Sequence, residues 1–329
     1  MADFIRTVTG DICPNTFGYC QCHEHLLLAK GKSYTIDPSL CMDDEEKSTE
    51  ELISYKAAGG RALVDAQPVG CGRMADGLRR ISENSGVHIV ASTGFHKLRF
   101  YAEDHFVYRC SAEELAALFA DELTLGMYVD NVNGEAAFTQ RGPAKAGIIK
   151  TASDGRDIIA DEDVLPVYKK LFTAAAMAAV RTGAPVITHL EMGNGAESQY
   201  RVLTGNGVPA EQIIMSHLDR VVDRTDPDRY LQVAKSGVYL QFDTIGRFKY
   251  HSDEDEAWLI AMLCEHGYAD QILIGLDTTN KRLKAYGGAL GLTYILDTFR
   301  NTLASYGVDE SLFNRFTIEN PQRALCFRN

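Results

Sequence analysis

Short apolar runs alternate with longer amphipathic segments along the whole chain. The apolar runs are rich in strand-forming residues, and the segments between them begin with acidic residues or serine and stop near glycine. Two of the clearest helical segments are residues 111–125 and 163–182. This alternation predicts repeated βα units around a parallel sheet. The eight predicted strands are residues 19–25, 62–68, 88–94, 146–152, 185–191, 212–219, 238–244 and 272–278.

The lengths of the predicted loops separate two possible architectures. The loops from helix to strand are short, whereas those after the strands are long, as in 95–110 and 278–288. Such long loops form the active-site face of a (β/α)8 barrel. An open doubly wound sheet is disfavoured because no G-x-G-x-x-G follows the first strand. We therefore predict an α/β fold, a single (β/α)8 TIM barrel with a short N-terminal β extension, and one domain over residues 1–329.

Composition and charge narrow the classes of function. Of 329 residues, 45% are hydrophobic and 24% are charged, which is typical of a globular chain. The net charge of −12 argues against nucleic acid or an anionic membrane as a partner. The first residues lack the apolar stretch of a secretion signal, so a cytoplasmic location is expected. The eight cysteines are interpreted as structural, and strand alternation predicts that Cys20 and Cys22 face away from the neighbouring histidines.

Polar side chains recur where the predicted strands end. His23 and His25 are two residues apart, so an extended chain projects both to the same side. His189, His217 and Asp277 end the fifth, sixth and eighth strands. A lone histidine is commonly a core residue, but histidines on three strands and an aspartate on a fourth form a group. Such nitrogen and oxygen ligands suit Zn, Mn, Fe or Co.

The fourth strand ends with Lys150 after an apolar run. An ammonium inside a barrel is costly, so one interpretation pairs it with a carboxylate or extends it to the barrel mouth. The other is that desolvation and nearby cations keep the amine neutral, and that it reacts with CO2 to form a carbamate. A carbamate has two anionic oxygens, enough to bridge two metal ions.

These motifs resemble the phosphotriesterase-like branch of the amidohydrolase superfamily, close to its lactonases. The resemblance extends over nearly the whole chain and includes the segment 64–73 and the closing Glu319-Asn320-Pro321. The five ligand motifs occur in the family's strand order. They are His23-Glu24-His25-Leu26, Gly147-Ile148-Ile149-Lys150, Val186-Ile187-Thr188-His189, Ser216-His217 and Gly275-Leu276-Asp277.

The resemblance implies a hydrolase with two divalent metal ions, with zinc favoured and Mn, Co or Fe as alternatives. One ion would be held by His23, His25 and Asp277, and the other by His189 and His217. Carboxylated Lys150 and a hydroxide would bridge them. Asp277 is the predicted catalytic residue, which takes the proton of the attacking hydroxide. A homodimer is a further expectation from the resemblance.

Basic residues on the strand-to-helix loops indicate the substrate. Barrel enzymes often bind phosphate with the loops after strands seven and eight, where cations cluster in this acidic chain. We predict a small anionic substrate, most concretely a phosphorylated sugar lactone. The predicted substrate-binding residues are Phe95, His96, Lys97, Arg247, Lys249, Lys281, Arg282, Lys284 and Tyr286, with Arg99 on the same rim.

Three other functions stay open at this point. Enzymes of the same family hydrolyse neutral phosphotriesters and carboxylesters, although the loop Phe95-His96-Lys97 is less apolar than such a substrate requires. An unmodified Lys150 would leave a mononuclear site with deaminase-like chemistry. A barrel that binds metal and ligand without turnover is disfavoured because the ligand set, including Asp277, is intact.

Overall fold

The computed structural model describes residues 3–130, 136–160 and 165–328. Twelve strands are seen in this part of the chain. An antiparallel hairpin comes first, formed by β1 (Ile5–Thr7) and β2 (Gly10–Ile12), and a second one is formed by β6 (Tyr128–Asp130) and β7 (Ala136–Arg141). The other eight form one sheet and are β3 (Cys20–Glu24), β4 (Ala62–Asp65), β5 (His88–Gly94), β8 (Ile148–Ala152), β9 (Val186–His189), β10 (Ile213–Ser216), β11 (Tyr239–Phe242) and β12 (Ile272–Ile274).

The eight-stranded sheet curls into a barrel. Its strands pair in parallel in the order in which they occur in the chain, from β3 to β12. The ends of the sheet meet where the backbone nitrogen of Asp277 donates to the carbonyl oxygen of His23 at 2.9 Å. The predicted barrel and the N-terminal β extension are confirmed, and every barrel strand lies within its predicted range. The hairpin of β6 and β7 was not predicted.

Helices follow the strands around the barrel. The described α-helices are α1 (Lys32–Ile36), α2 (Glu45–Ala57), α3 (Ala75–Ser85), α4 (Phe106–Arg109), α5 (Ala112–Thr124), α6 (Leu165–Thr182), α7 (Ala196–Gly205), α8 (Asp228–Lys235), α9 (Asp253–Glu265), α10 (Arg300–Ser305), α11 (Glu310–Asn314) and α12 (Asn320–Ala324). Two π-helical turns, Ile295–Phe299 and Arg315–Glu319, adjoin the last three helices. Within the described ranges, no helix has both the length and the apolar character needed to cross a bilayer.

The predicted helix boundaries have clear physical causes. Ser111 begins α5 with a capping box, since its hydroxyl accepts from the Glu114 nitrogen and the Glu114 carboxylate accepts from the Ser111 nitrogen. Gly183 ends α6 at a φ of 72°. A Cβ there would lie 1.7 Å from the carbonyl oxygen of Arg328, so only glycine fits. Residues 163 and 164 of the predicted helix lie outside the described residues.

A bulge in β3 changes which side chains face the barrel interior. Two residues, Cys22 and His23, lie opposite the single residue Val64 of β4. Cys20 and Cys22 therefore pack with inward residues of the other strands, such as Ile148, while His23 also points inward. This overturns the expectation from simple alternation that the two cysteines face away from the histidines.

A buried ion pair links the barrel to its outer helices. Arg73, which follows β4, and Glu122 of α5 are both fully buried, and two nitrogens of Arg73 contact the two Glu122 oxygens at 2.7 and 2.9 Å. Arg73 also donates to the carbonyl of Ser92, and the hydroxyl of Thr93 donates to Glu122. The pair thus joins α5 to β5, the strand beside β8.

The cost of breaking this pair can be measured. We expect Arg73→Ala to lower the free energy of unfolding by about 3–5 kcal/mol, because it leaves the Glu122 carboxylate buried without its partner. Urea denaturation followed by circular dichroism measures the change. The control is Arg201→Ala, which breaks an exposed pair with Glu197 and should cost less than about 1 kcal/mol. Equal costs for the two variants would contradict the role of the pair.

Candidate metal centre and substrate cavity

The predicted metal ligands converge at the carboxyl ends of the barrel strands. The ring centres of His23 and His217 are 4.8 Å apart, and those of His189 and His217 are 4.3 Å apart. The Lys150 amine lies 3.3 Å from Nε2 of His23. The Asp277 carboxylate lies 3.4 Å from Nε2 of His25, and both residues offer ligand atoms within 4.8 Å of His23. All six predicted ligands are thus in one cluster of buried side chains.

Two of these ligands depend on unusual backbone conformations. His217 has a φ of 63° and Asp277 a φ of 48°, in the left-handed region that side chains other than glycine seldom adopt. His217 directly follows β10, and Asp277 lies three residues after the end of β12. Strain of this kind is typical of functional sites, where the surrounding fold supports it.

Burial keeps the imidazoles in the state that binds metal. Desolvation lowers the pKa of His23, His189 and His217 well below the ordinary value, and neighbouring cations such as Lys150 and Arg220 add to the effect. Each ring is therefore neutral at neutral pH, with a nitrogen lone pair for a metal ion. The donors His23, His25 and Asp277 offer atoms within 4.8 Å of one another, a spacing that fits one ion.

The pKa values of Lys150 and Asp277 are both lowered, which favours the neutral amine of Lys150 and the ionised carboxylate of Asp277. Burial lowers the pKa of Lys150 to about 8, only partly opposed by Asp243 and Asp277. A fraction of the amine is thus neutral at neutral pH, the form that reacts with CO2. Burial alone would raise the pKa of Asp277, but Arg247 and a hydrogen bond with His25 hold it well below its usual range. Asp277 is therefore ionised and can accept a proton.

Asp243, directly after β11, orients two of the histidines. Its carboxylate oxygens lie 2.5 Å from Nδ1 of His217 and 2.8 Å from Nδ1 of His23. The side-chain oxygen of Gln241 is also 3.2 Å from Nδ1 of His23. With Nδ1 occupied, Nε2 of each ring is the atom that faces the cluster, an arrangement common around metal-binding histidines.

A cavity of about 440 Å³ opens above the ligand cluster. Its walls contain eight lysines and arginines but only three acidic residues. The cavity is therefore strongly basic in a chain with a net charge of −12. The basic residues are Lys97, Arg99, Lys150, Arg220, Arg247, Lys249, Lys281 and Arg282.

The predicted substrate-binding residues in this cavity form two groups. Lys97 is paired with Glu191, and Arg247 with Asp277 at 3.1 Å. Arg282 is buried and donates to the carbonyls of Ile245 and Gly246. In contrast, Lys249, Lys281 and Arg99 are exposed at the rim. His96 also lines the cavity, with its ring centre 5.4 Å from that of His189.

Three residues predicted to bind substrate do not line the cavity. Phe95 is fully buried and packs edge-on against Phe172 in the core. The hydroxyl of Tyr286 is held by Ser48 at 2.8 Å and by the backbone of Asp44. Lys284 is exposed outside the cavity, with its methylene carbons over Gly291. For these residues, position on a strand-to-helix loop was too coarse a guide.

Several residues of the site were not predicted from the sequence. Arg220 bridges Asp277 and Glu191, with 3.3 Å contacts to each. Glu191 also lies 3.3 Å from Nε2 of His189 and pairs with Lys97. Asp243 carried a usable signal in the sequence. The dipeptide Asp243-Thr244 follows β11, just as Asp277-Thr278, which contains a predicted ligand, follows β12. For Arg220 and Glu191, the only signal was their closeness in the sequence to His217 and His189.

The fold and cluster define a barrel whose polar mouth is suited to a metal-dependent hydrolase. Comparisons with known proteins agree with this. A family model described as "Phosphotriesterase family" matches residues 4–325. The chain is 31% identical to a phospho-furanose lactonase of Mycoplasmopsis synoviae, covering 98% of this chain and 92% of the relative. It is 27% identical to an N-acetyltaurine hydrolase of Danio rerio, covering 98% of each.

A solved structure of a lactonase is also similar to this chain. The lactonase Lmo2620 from Listeria monocytogenes superimposes with a TM-score of 0.86 at 29% identity, covering 99% of this chain and 100% of the lactonase. The chain belongs to the phosphotriesterase family. The prediction of a hydrolytic enzyme acting on ester bonds is thereby confirmed at the level of the family.

The contacts of Asp243 predict an effect on metal retention. We expect Asp243→Asn to weaken metal affinity roughly 10- to 100-fold, because it removes the carboxylate that orients His23 and His217. Competition with a chelator, followed by elemental analysis, measures the affinity. Asp228→Asn on the exposed surface of α8 is the matched control and should retain metal as the unmodified chain does. Equal retention by both variants would contradict the assigned role.

Proposed function

We propose that the chain opens a small anionic cyclic ester by metal-dependent hydrolysis, and that the substrate is a phosphorylated sugar lactone. The observation that carries this proposal is the excess of basic residues in the cavity above the ligand cluster, seven besides Lys150 against three acidic ones. A neutral substrate would favour an apolar, aromatic-lined pocket instead. The cavity's size of about 440 Å³ suits a small molecule.

The metal centre would be binuclear. His23, His25 and Asp277 would hold one divalent ion, His189 and His217 the other, and Lys150, carboxylated by CO2, would be shared between them. Two such ions, with zinc the favoured metal, supply a hydroxide at neutral pH and polarise the carbonyl of the ester. The donor types fit, because neutral imidazoles and a carboxylate are preferred zinc ligands.

The chain's own residues supply the remaining chemistry. Asp277 is ionised, so it can accept the proton released as the ester is attacked. Arg220 and Arg247 contact its Oδ2 at 3.3 and 3.1 Å and hold the carboxylate in place. Lys249, Lys281 and Arg99 lie exposed at the rim, free to contact a phosphate there. The reacting ester would thus lie deep and the phosphate near the entrance.

The substrates in the names of the relatives both support an anionic substrate, but they differ in the bond that is hydrolysed, an ester in one and an amide in the other. The Mycoplasmopsis relative is named for a phosphorylated lactone and the Danio relative for an N-acylated taurine, which carries a sulfonate. Both compounds are small and negatively charged. We infer that the basic cavity recognises the anion, and we favour the lactone because that relative is the more similar of the two.

Other features of the proposal stay predictions. They are the identity of the metal, the carbamate on Lys150, a single functional domain over 1–329, and the homodimer. The cytoplasmic location and the lack of nucleic-acid binding also stay predictions. A mononuclear, deaminase-like centre is the alternative, and one metal ion at the main centre instead of two would favour it.

A substrate screen tests the role of the rim. We expect proton release from phosphorylated sugar lactones to exceed that from the unphosphorylated compounds. Lys249→Ala and Lys281→Ala should each raise KM for the phosphorylated lactone about tenfold, the effect of losing one charge-assisted contact. N-acetyltaurine, followed by release of taurine, serves as the competing anionic substrate.

Lys284→Ala is the matched control for Lys281→Ala, because Lys284 is equally exposed on the same loop but outside the cavity. Its KM should match that of the unmodified chain. Equal KM values for phosphorylated and unphosphorylated lactones would exclude phosphate recognition. Hydrolysis of N-acetyltaurine alone would move the assignment to amides.

The shared role of Lys150 gives a second test. We expect Lys150→Ala to lose bound metal and activity together, because no other residue would bridge the two ions. Short carboxylic acids should partly restore both, since they supply two anionic oxygens in the space left by the side chain. Lys145→Ala, five residues earlier and outside the cavity, should change neither. Full activity of Lys150→Ala would refute the bridge.

A further inference from the structure

A second group of buried polar side chains lies near Asp243. It is formed by Asp219 after β10, His251 before α9, and Glu256 in the first turn of α9. Asp219 and Glu256 are 0% exposed and His251 is 8% exposed. One nitrogen or oxygen atom of each lies within 4.8 Å of the other two. None of the three lines the substrate cavity.

Glu256 has no hydrogen-bond donor at either oxygen among the described residues. Its Oε2 lies 3.3 Å from Nε2 of His251, but that nitrogen contacts the hydroxyl of Thr244 at 2.9 Å. Asp219 is half satisfied, because Oδ2 accepts from the Thr244 nitrogen whereas Oδ1 is without a partner in the same part of the chain. Each buried oxygen left in this way destabilises the fold unless a partner is supplied.

Negative charge accumulates at this place. Asp243 and Asp253 are also buried nearby, but the first contacts two histidines and the second accepts from Gly246 and Tyr294. Burial and the charge of Asp219 raise the pKa of Glu256 well above its usual range. Two buried carboxylates this close together, with three oxygens that lack a partner among the described residues, need a positively charged or hydrogen-donating partner.

We propose that Asp219, His251 and Glu256 bind a divalent cation separate from the ions of the main centre. Two carboxylates and one imidazole form a ligand set that suits Zn²⁺, Mn²⁺ or Fe²⁺. The hydroxyl of Thr244 lies beside His251 and is within reach as a further oxygen ligand. A cation here offsets the charge of both carboxylates and gives their three unsatisfied oxygens a partner.

The position of this site gives it a structural role. It joins the loop after β10, through Asp219, to the loop after β11, through His251, and to the first turn of α9, through Glu256. The β11 loop also carries Arg247 and Lys249, which line the substrate cavity. A cation would therefore fix this loop relative to the barrel, independently of which substrate the cavity accepts.

Glu256→Gln distinguishes a cation from a shared proton. Glutamine has the size of the protonated acid but is a poor metal ligand, so we expect one fewer metal ion per chain and a lower Tm. Elemental analysis of chain grown with Zn²⁺ or Mn²⁺ and passed over a chelating resin gives the metal content. Glu254→Gln, exposed in the same helical turn, is the control and should match the unmodified chain.

Two further variants cover other outcomes. His251→Gln should also lose one ion, which provides the same test if Glu256→Gln does not fold. Lys150→Ala removes the bridge of the main centre, and an ion that this variant retains is assigned to the second site only if Glu256→Gln added to it removes that ion. A folded Glu256→Gln chain with unchanged metal content and an equal or higher Tm would overturn the proposal and indicate a shared proton.

Discussion

Burial of ionisable groups at the carboxyl ends of the strands is the constraint on which this site depends. An isolated charge in such a place is unstable, so each buried group must be neutral or must face a partner. His23, His189 and His217 meet the requirement by losing their charge, and Asp277 by facing Arg220 and Arg247. The same desolvation that penalises the fold thus produces neutral metal-binding imidazoles beside an ionised carboxylate.

A second requirement is that the backbone directs the predicted ligand side chains toward one point. Regular strands would direct alternate residues inward, yet His23 reaches the interior through the β3 bulge, and His217 and Asp277 adopt left-handed conformations. Conformations of this kind cost about 1–3 kcal/mol each. They persist because the flanking residues are fixed by parallel strand pairing and by the barrel closure at His23 and Asp277. The regular part of the barrel therefore supports the irregular residues that carry the chemistry.

The difference between the regular strands and the irregular residues explains what could be predicted from the sequence. The eight strands, and the convergence of the six predicted metal ligands, follow from apolar runs with polar ends, because strand pairing forces those ends to one side of the barrel. Alternation failed at Cys20 and Cys22, since a bulge leaves no clear mark in the sequence. The prediction that loop side chains face the cavity was also wrong for some residues. Phe95 turns into the core and Tyr286 toward Ser48, although both follow strand ends as Lys97 does.

Ion pairs between distant parts of the chain also could not be predicted from the sequence. Arg220 contacts Asp277, which lies 57 residues away in the chain, and Lys97 pairs with Glu191, 94 residues away. Both pairs connect different strand-to-helix loops, so their formation depends on the closed barrel and not on local pattern. A third pair, between Arg247 and Asp277, connects a residue predicted to bind substrate to a residue predicted to hold metal. Recognition and chemistry in this site are therefore coupled by ion pairs, and a loop that shifts would change the metal centre along with the cavity.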